Sequence, residues 1–111
     1  MNILMINPNT SPHVTERMRV NAQQAVGDAA TIHAFTAQSG PAIISSRSEN
    51  AIALAEMLRL AASHQEGCDV LMLGVSIDTG LQALREMLDI PVVGMAEAAL
   101  LTASMLGGKI G

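Results

Sequence analysis

The chain has 111 residues, 50% hydrophobic and 14% charged, with a formal net charge of −4. That length supports one domain with a real core, and that composition is globular rather than disordered. The acidic balance disfavours a nucleic-acid or anionic-membrane surface, and a single cysteine excludes an internal disulfide and fits a reducing compartment.

Phe35 is the one aromatic residue, so the core is built from Ala, Leu, Ile, Val and eight Met. The start, Met1 to Pro8, has no basic residue and too short an apolar run for a signal peptide. No apolar stretch reaches membrane-spanning length. A soluble, cytoplasmic protein is the expectation.

In chain order, Asn2 to Ile6 reads as a buried strand, with Asn7 opening a loop. Asn7-Pro8-Asn9-Thr10-Ser11-Pro12 is dense in turn formers. Ser11 followed by Pro12 predicts a helix start, with Ser11 as N-cap and Pro12 in the first turn. Val14, Met18, Ala22 and Val26 recur about once per turn, and Gly27 closes the helix. Thr31 to Ala37 is a second strand and Gln38 to Pro41 a loop. Ala42 to Ser48 fits no single period. Glu49 to Glu66 is a helix with Ile52, Ala55, Leu58 and Ala62 on one face, ended by Gly67.

The run Cys68 to Leu81 is the centre of the chain. Val70 to Leu73 reads as a strand buried on both faces. It breaks at Gly74, passes through Val75 and Ser76, and enters a helix after Asp78, with Leu81, Leu84 and Leu88 on one face. Asp89-Ile90-Pro91 stops that helix. Pro91 to Gly94 is a fourth strand, Glu97 to Leu106 a last helix, and Lys109-Ile110-Gly111 the expected start of a fifth strand. Alternating strands and helices predict an α/β fold: a flavodoxin-like three-layer sandwich around a parallel sheet, in the order 2-1-3-4.

In such a sheet, ligands bind at the carboxyl ends of the strands. The loops there are Asn7 to Ser11, Ala37 to Pro41, Gly74 to Asp78 and Gly94 to Glu97. The first offers two amides, two hydroxyls and free helix N–H groups, which suit an anion or serve as a capped turn. Gly74-Val75-Ser76 offers backbone N–H groups and a hydroxyl for an oxyanion, or relieves crowding and caps a helix. Glu97 suits a helix N-terminus. His13 reads as a surface residue. His33 and His64 lack a partner at ligand spacing, so no metal site is expected. Cys68 precedes the central strand, at the opposite edge from the loops, and reads as structural.

Ile6-Asn7-Pro8-Asn9-Thr10-Ser11, Ser39-Gly40-Pro41, Asp78-x-Gly80-Leu81 and Ile90-Pro91-Val92-Val93-Gly94-x-Ala96-Glu97-Ala98-Ala99 together resemble the aspartate/glutamate/hydantoin racemase superfamily. The likeness is greatest to its hydantoin and allantoin racemase branch and runs through the whole chain. It implies two pseudo-symmetric α/β halves, with one Cys from each moving a proton at a carbon next to a carbonyl, and no cofactor or metal. This chain would be the first half, residues 1–111, with the second half absent. The implied substrate contacts are Asn7, Asn9, Thr10, Ser11, Gly40, Pro41, Gly74, Ser76 and Ile77. Where the family has A-C-F-x-D-P-G-L, this chain reads Gly74-Val75-Ser76-Ile77-Asp78-Thr79-Gly80-Leu81. Val75 therefore stands at the position of the first catalytic Cys and cannot carry a proton.

That departure keeps three readings open. One is a cofactor-independent racemase of hydantoin-like amides or amino acids. A second is a lyase similar to the arylmalonate decarboxylases, which also lack the first-half Cys. The third is a non-catalytic domain that binds a small carboxylate. The expected partners are that small molecule and, in a homo-oligomer, further copies of the chain, with no nucleic acid and no membrane.

Overall fold

A computed structural model describes all residues 1–111. The strands are β1 (Asn2–Asn7), β2 (Thr31–Thr36), β3 (Val70–Leu73) and β4 (Val92–Val93). The helices are α1 (Pro12–Val26), α2 (Arg47–His64), α3 (Leu81–Met87) and α4 (Met95–Leu106), with a short 3-10 turn at Gly27–Ala29. All strand pairs are parallel, in the order β2-β1-β3-β4 that the alternation predicts. Every connection is a crossover, so every strand delivers its carboxyl end to the same edge.

The register fixes which side chains share a face. Leu4 lies beside Leu71, Ile6 beside Leu73, and Leu71 beside Val92. These residues form one core with Met57, Leu60 and Ala61 of α2, Leu81 and Leu84 of α3, and Leu88 just past its end. The opposite face is covered over β1 and β2 by α1. Beyond α1 the cover thins: Val70 and Met72 are half-buried and Val93 is exposed. β3 is thus fully buried on one face only, not on both as its unbroken apolar run predicts. No helix is long and apolar enough to cross a membrane.

Four local expectations change. Asn7 is the last residue of β1, not the first of the loop, because it pairs with Thr36 and its carbonyl accepts the Ala37 N–H at 3.0 Å. α2 begins at Arg47, where the Ser46 hydroxyl accepts the Glu49 N–H, and this orders part of the segment that showed no period. Its buried face is Ala53, Glu56, Met57, Leu60 and Ala61, while Ile52, Ala55 and Ala62 face solvent. The expected stripe is therefore rotated, because the face carries a buried glutamate that no apolar pattern reveals. Finally, Lys109–Gly111 form no strand, since no backbone pairs with them.

Gly74 shows how tightly β3 joins the edge. Its N–H donates to the Ile6 carbonyl at 2.7 Å. A Cβ there would lie 2.8 Å from that same oxygen, a contact with backbone that has no room to yield. Leu84 is fully buried against the sheet. Replacing Leu84→Ala should cost about 2–5 kcal/mol through lost burial and a residual cavity. Urea unfolding, with the midpoint lowered and the slope unchanged, is the measurement.

Candidate functional site

The four strand-to-helix connections meet in a cleft of about 280 Å³ lined by Asn9, Val14, Met18, Ile43, Ile44, Gly74, Val75, Ser76 and Met95. Its polar groups are the Asn9 amide, the Ser76 hydroxyl and loop backbone, and no ionisable side chain lines it. A second hollow, bounded by Ile44, Ser45, Ser46, Arg47, Asn50 and Ile77, adjoins it through Ile44.

The first loop is held from beneath by Asn7. Its side chain is fully buried, and its Nδ2 donates to Asn9 Oδ1 at 2.8 Å, Thr15 Oγ1 at 3.0 Å and the Ser11 carbonyl at 3.3 Å. Its Oδ1 accepts the Asn9 N–H. A buried amide must be satisfied this way, since an unpaired one costs roughly 1–3 kcal/mol. Asn7 is therefore occupied in building the loop and does not reach the cleft. Asn9 Oδ1 in turn accepts the Ser11 N–H, which turns the chain into α1.

Ser11 does not cap α1 with its side chain, as the sequence predicts. Its hydroxyl donates instead to the Ala42 carbonyl at 2.8 Å, and the Thr10 N–H donates to the Pro41 carbonyl at 3.0 Å. Thr10, Ser11 and Pro41 thus join two loops and place Ile43 and Ile44 at the cleft wall, without lining it themselves, and Gly40 does not line it either. Among the expected site residues, the structure brings Asn9, Gly74, Val75 and Ser76 together. Ile77 faces the adjoining hollow. His13 is exposed. Val14, Met18, Ile43, Ile44 and Met95 were not anticipated. The Ile43-Ile44 pair between two polar runs is the trace they leave in the sequence.

Glu56 supports the second loop. It is buried, and its carboxylate accepts the Gln38 N–H at 3.0 Å, the Ser39 hydroxyl at 3.4 Å and the Arg59 guanidinium at 2.6 Å. The Arg59 bond lowers its pKa most; burial opposes this, and the Gln38 bond reinforces it, leaving a value of about 2.

Cys68 lies at the other edge of the sheet, in a hollow with Asn2, His33, Phe35, His64, Glu66 and Gly67. Its thiol lies 3.5 Å from the His64 carbonyl, and burial, then the charge of Asp69, pushes its pKa up. A thiol held in its protonated form at that distance from the loops is no nucleophile for the cleft.

The family model for Asp/Glu/hydantoin racemase matches residues 3–111. The chain belongs to the Asp/Glu/hydantoin racemase family. It is 37% identical over 102 residues to a hydantoin racemase of Paenarthrobacter aurescens, covering 90% of this chain and 43% of that protein. It is 34% identical over 110 residues to the hydantoin racemase of Pseudomonas sp. (strain NS671), covering 98% and 44%. Among solved structures, the allantoin racemase from Klebsiella pneumoniae superposes with a TM-score of 0.87 at 34% identity, covering 95% of this chain and 43% of that one. The allantoin racemase from Pseudomonas fluorescens gives a TM-score of 0.91 at 27% identity, covering 96% and 46%. The chain thus spans less than half the length of the relatives it matches.

The depressed pKa of Glu56 has a pH consequence. A carboxyl at about 2 when folded and near 4.5 when free adds stability that is complete above 4.5 and fades as pH falls towards 2. Glu56→Gln should lower the melting temperature at pH 7 and lose less on acidification from pH 5 to pH 2 than the unsubstituted chain. Thermal melts across that range check it, and parallel curves would refute it.

Proposed function

We propose that this chain is the first α/β half of a cofactor-independent racemase that moves a proton at a carbon next to a carbonyl in a hydantoin-like amide. The observation that carries the reading is the position of Gly74-Val75-Ser76. The stretch that resembles the family's cysteine loop lies in the cleft at the carboxyl edge of the sheet, beside Asn9. Family membership over residues 3–111 supports the same reaction class.

Within that reading the cleft binds and orients rather than moves protons. Asn9 and Ser76 offer hydrogen bonds to a polar ring, and apolar side chains surround them. The loop N–H groups suit the negative charge that develops on a carbonyl oxygen when the neighbouring carbon loses its proton. The acid and base of a two-sided transfer must stand on opposite faces of that carbon. Val75 supplies neither, so on this side of the carbon the cleft offers no proton carrier, and a carrier on the other side belongs to a second half of the protein facing this edge.

The apolar surface of α4 supports such a second half. Leu100, Leu101, Met105 and Leu106 are 53–85% exposed, and the helix buries no residue. Apolar exposure on this scale marks a contact surface. A second reading, a lyase similar to the arylmalonate decarboxylases, is favoured by the same Val75: a loop with a hydroxyl and backbone N–H groups but no thiol suits charge stabilisation with a single proton donor elsewhere. A domain that binds a small carboxylate without turnover is the reading left if neither reaction occurs.

The test uses 5-methylhydantoin as probe. Amide resonances of Asn9, Gly74 and Ser76 should shift saturably on its addition. In deuterated water, Val75→Cys should speed exchange of the C5 proton about 10²-fold over the unsubstituted chain, the low end of what a placed acid/base supplies. Absence of both effects would remove the basis for the reading.

A further inference from the structure

Two of the short motifs in this sequence, Asp78-x-Gly80-Leu81 and Gly94-x-Ala96-Glu97, have no role in binding as described above. In the structure they are one unit. The Asp78 carboxylate accepts the Ala96 N–H at 2.9 Å through Oδ1 and the Glu97 N–H at 2.8 Å through Oδ2. It thereby caps α4 from a loop 18 residues away in sequence. Gly94 is required at the start of that helix, because a Cβ there would lie 2.6 Å from the Asp78 carboxylate.

Other contacts hold both ends of this bridge. Arg85 of α3 donates to the Val92 carbonyl at 3.0 Å and to Glu97 at 2.6 Å, tying the first turn of α4 back to β4. On the loop side, the Asp78 N–H meets the Val75 carbonyl at 3.4 Å and the Asp78 carbonyl accepts the Leu81 N–H at 3.1 Å. The next residue, Thr79, is buried and donates to Asn50 of α2 at 2.6 Å. Asp78 holds a left-handed backbone, φ 50°, and is the one non-glycine residue with a positive φ. A left-handed residue is ordinarily glycine, and aspartate is among the few others that tolerate it. Glycine would remove the backbone cost but also the carboxylate.

We propose that Asp78 is the positioning residue of the cleft: its carboxylate fixes the distance between the Val75-Ser76 loop and Met95, which lie on two separate elements of the cleft wall. Asp78 touches no substrate. It acts through the loop that precedes it and the helix it caps. Its importance to function rests on the reading of the cleft as the site, whereas the bridge itself is measured without any ligand, so the two fail separately.

The experiment is amide hydrogen exchange and ¹⁵N–¹H spectra of the free chain, comparing Asp78→Gly and Asp78→Asn with the unsubstituted protein. With the clamp, Asp78→Gly speeds exchange at Ala96 and Glu97 by about tenfold or more, the effect of losing a charged acceptor, and moves the Ser76 and Met95 resonances. Asparagine tolerates the same backbone and keeps one acceptor oxygen, so one of the two amides stays protected and the other does not. If Asp78 served only the turn, glycine would protect both amides as well as aspartate does, and the proposal would fall. Should the glycine variant not fold, asparagine decides: two protected amides and unmoved Ser76 and Met95 resonances overturn the clamp.

Discussion

The buried amide of Asn7 is the constraint from which the binding edge is built. It ends β1 in the fully closed interior, where a polar side chain is tolerated only if every donor and acceptor is met. Meeting them draws Asn9, Ser11 and Thr15 onto one point. Thr15 then bonds Thr36 at 2.7 Å, which ties α1 to the end of β2. A polar group placed inside by the strand thus dictates the path of the loop outside. The apolar register of β1 against β3 supplies the rigid base, and Gly74 lets the two strand ends approach to a single backbone hydrogen bond.

The charges follow a matching logic. Glu56 with Arg59, and Arg85 with Glu97, each hold a loop or helix end rather than decorate a surface. The Arg19–Glu16 pair, an exposed neighbour pair on α1, is screened by solvent and ties together only one turn of its own helix. Charge is thus spent around the cleft on geometry, while the cleft itself is lined by apolar groups, an amide and a hydroxyl.

Most of the fold was legible because each element carries its own punctuation: Pro12 and Gly27 around α1, Gly67 and Gly74 around β3, and Pro91 before β4. Leu81, Leu84 and Leu88 also read correctly, being a plain apolar stripe with no polar residue inside it. The face of α2 did not. Ile52 is the largest apolar residue of its first turns and drew the stripe to itself, yet it lies 57% exposed while Glu56 lies buried. Arg59, one turn along, and two partners distant in sequence, Gln38 and Ser39, make that burial tolerable. The site was legible to the same extent. Asn9, Gly74, Val75 and Ser76 stand in loops that the topology alone brings together. Ile43 and Ile44 lie in a stretch without period, placed by hydrogen bonds from Thr10 and Ser11 that leave no pattern in composition. Asn7 reads as a binding residue because an amide next to a turn looks available, and only its burial and its bonds to Asn9, Ser11 and Thr15 show that it is used internally.

β4 is two residues long and forms one margin of the sheet. A margin that short offers almost no row of unpaired N–H and C=O groups, so a further strand would find little to zip against. Growth of the sheet in that direction is disfavoured, as is the accidental stacking of one molecule's edge on another's. Any protein surface that settles beside β4 must do so through side chains, and the ones available there are Val93 and the leucines and methionines of α4. Contact on that side would rest on apolar side chains rather than on a ladder of main-chain hydrogen bonds.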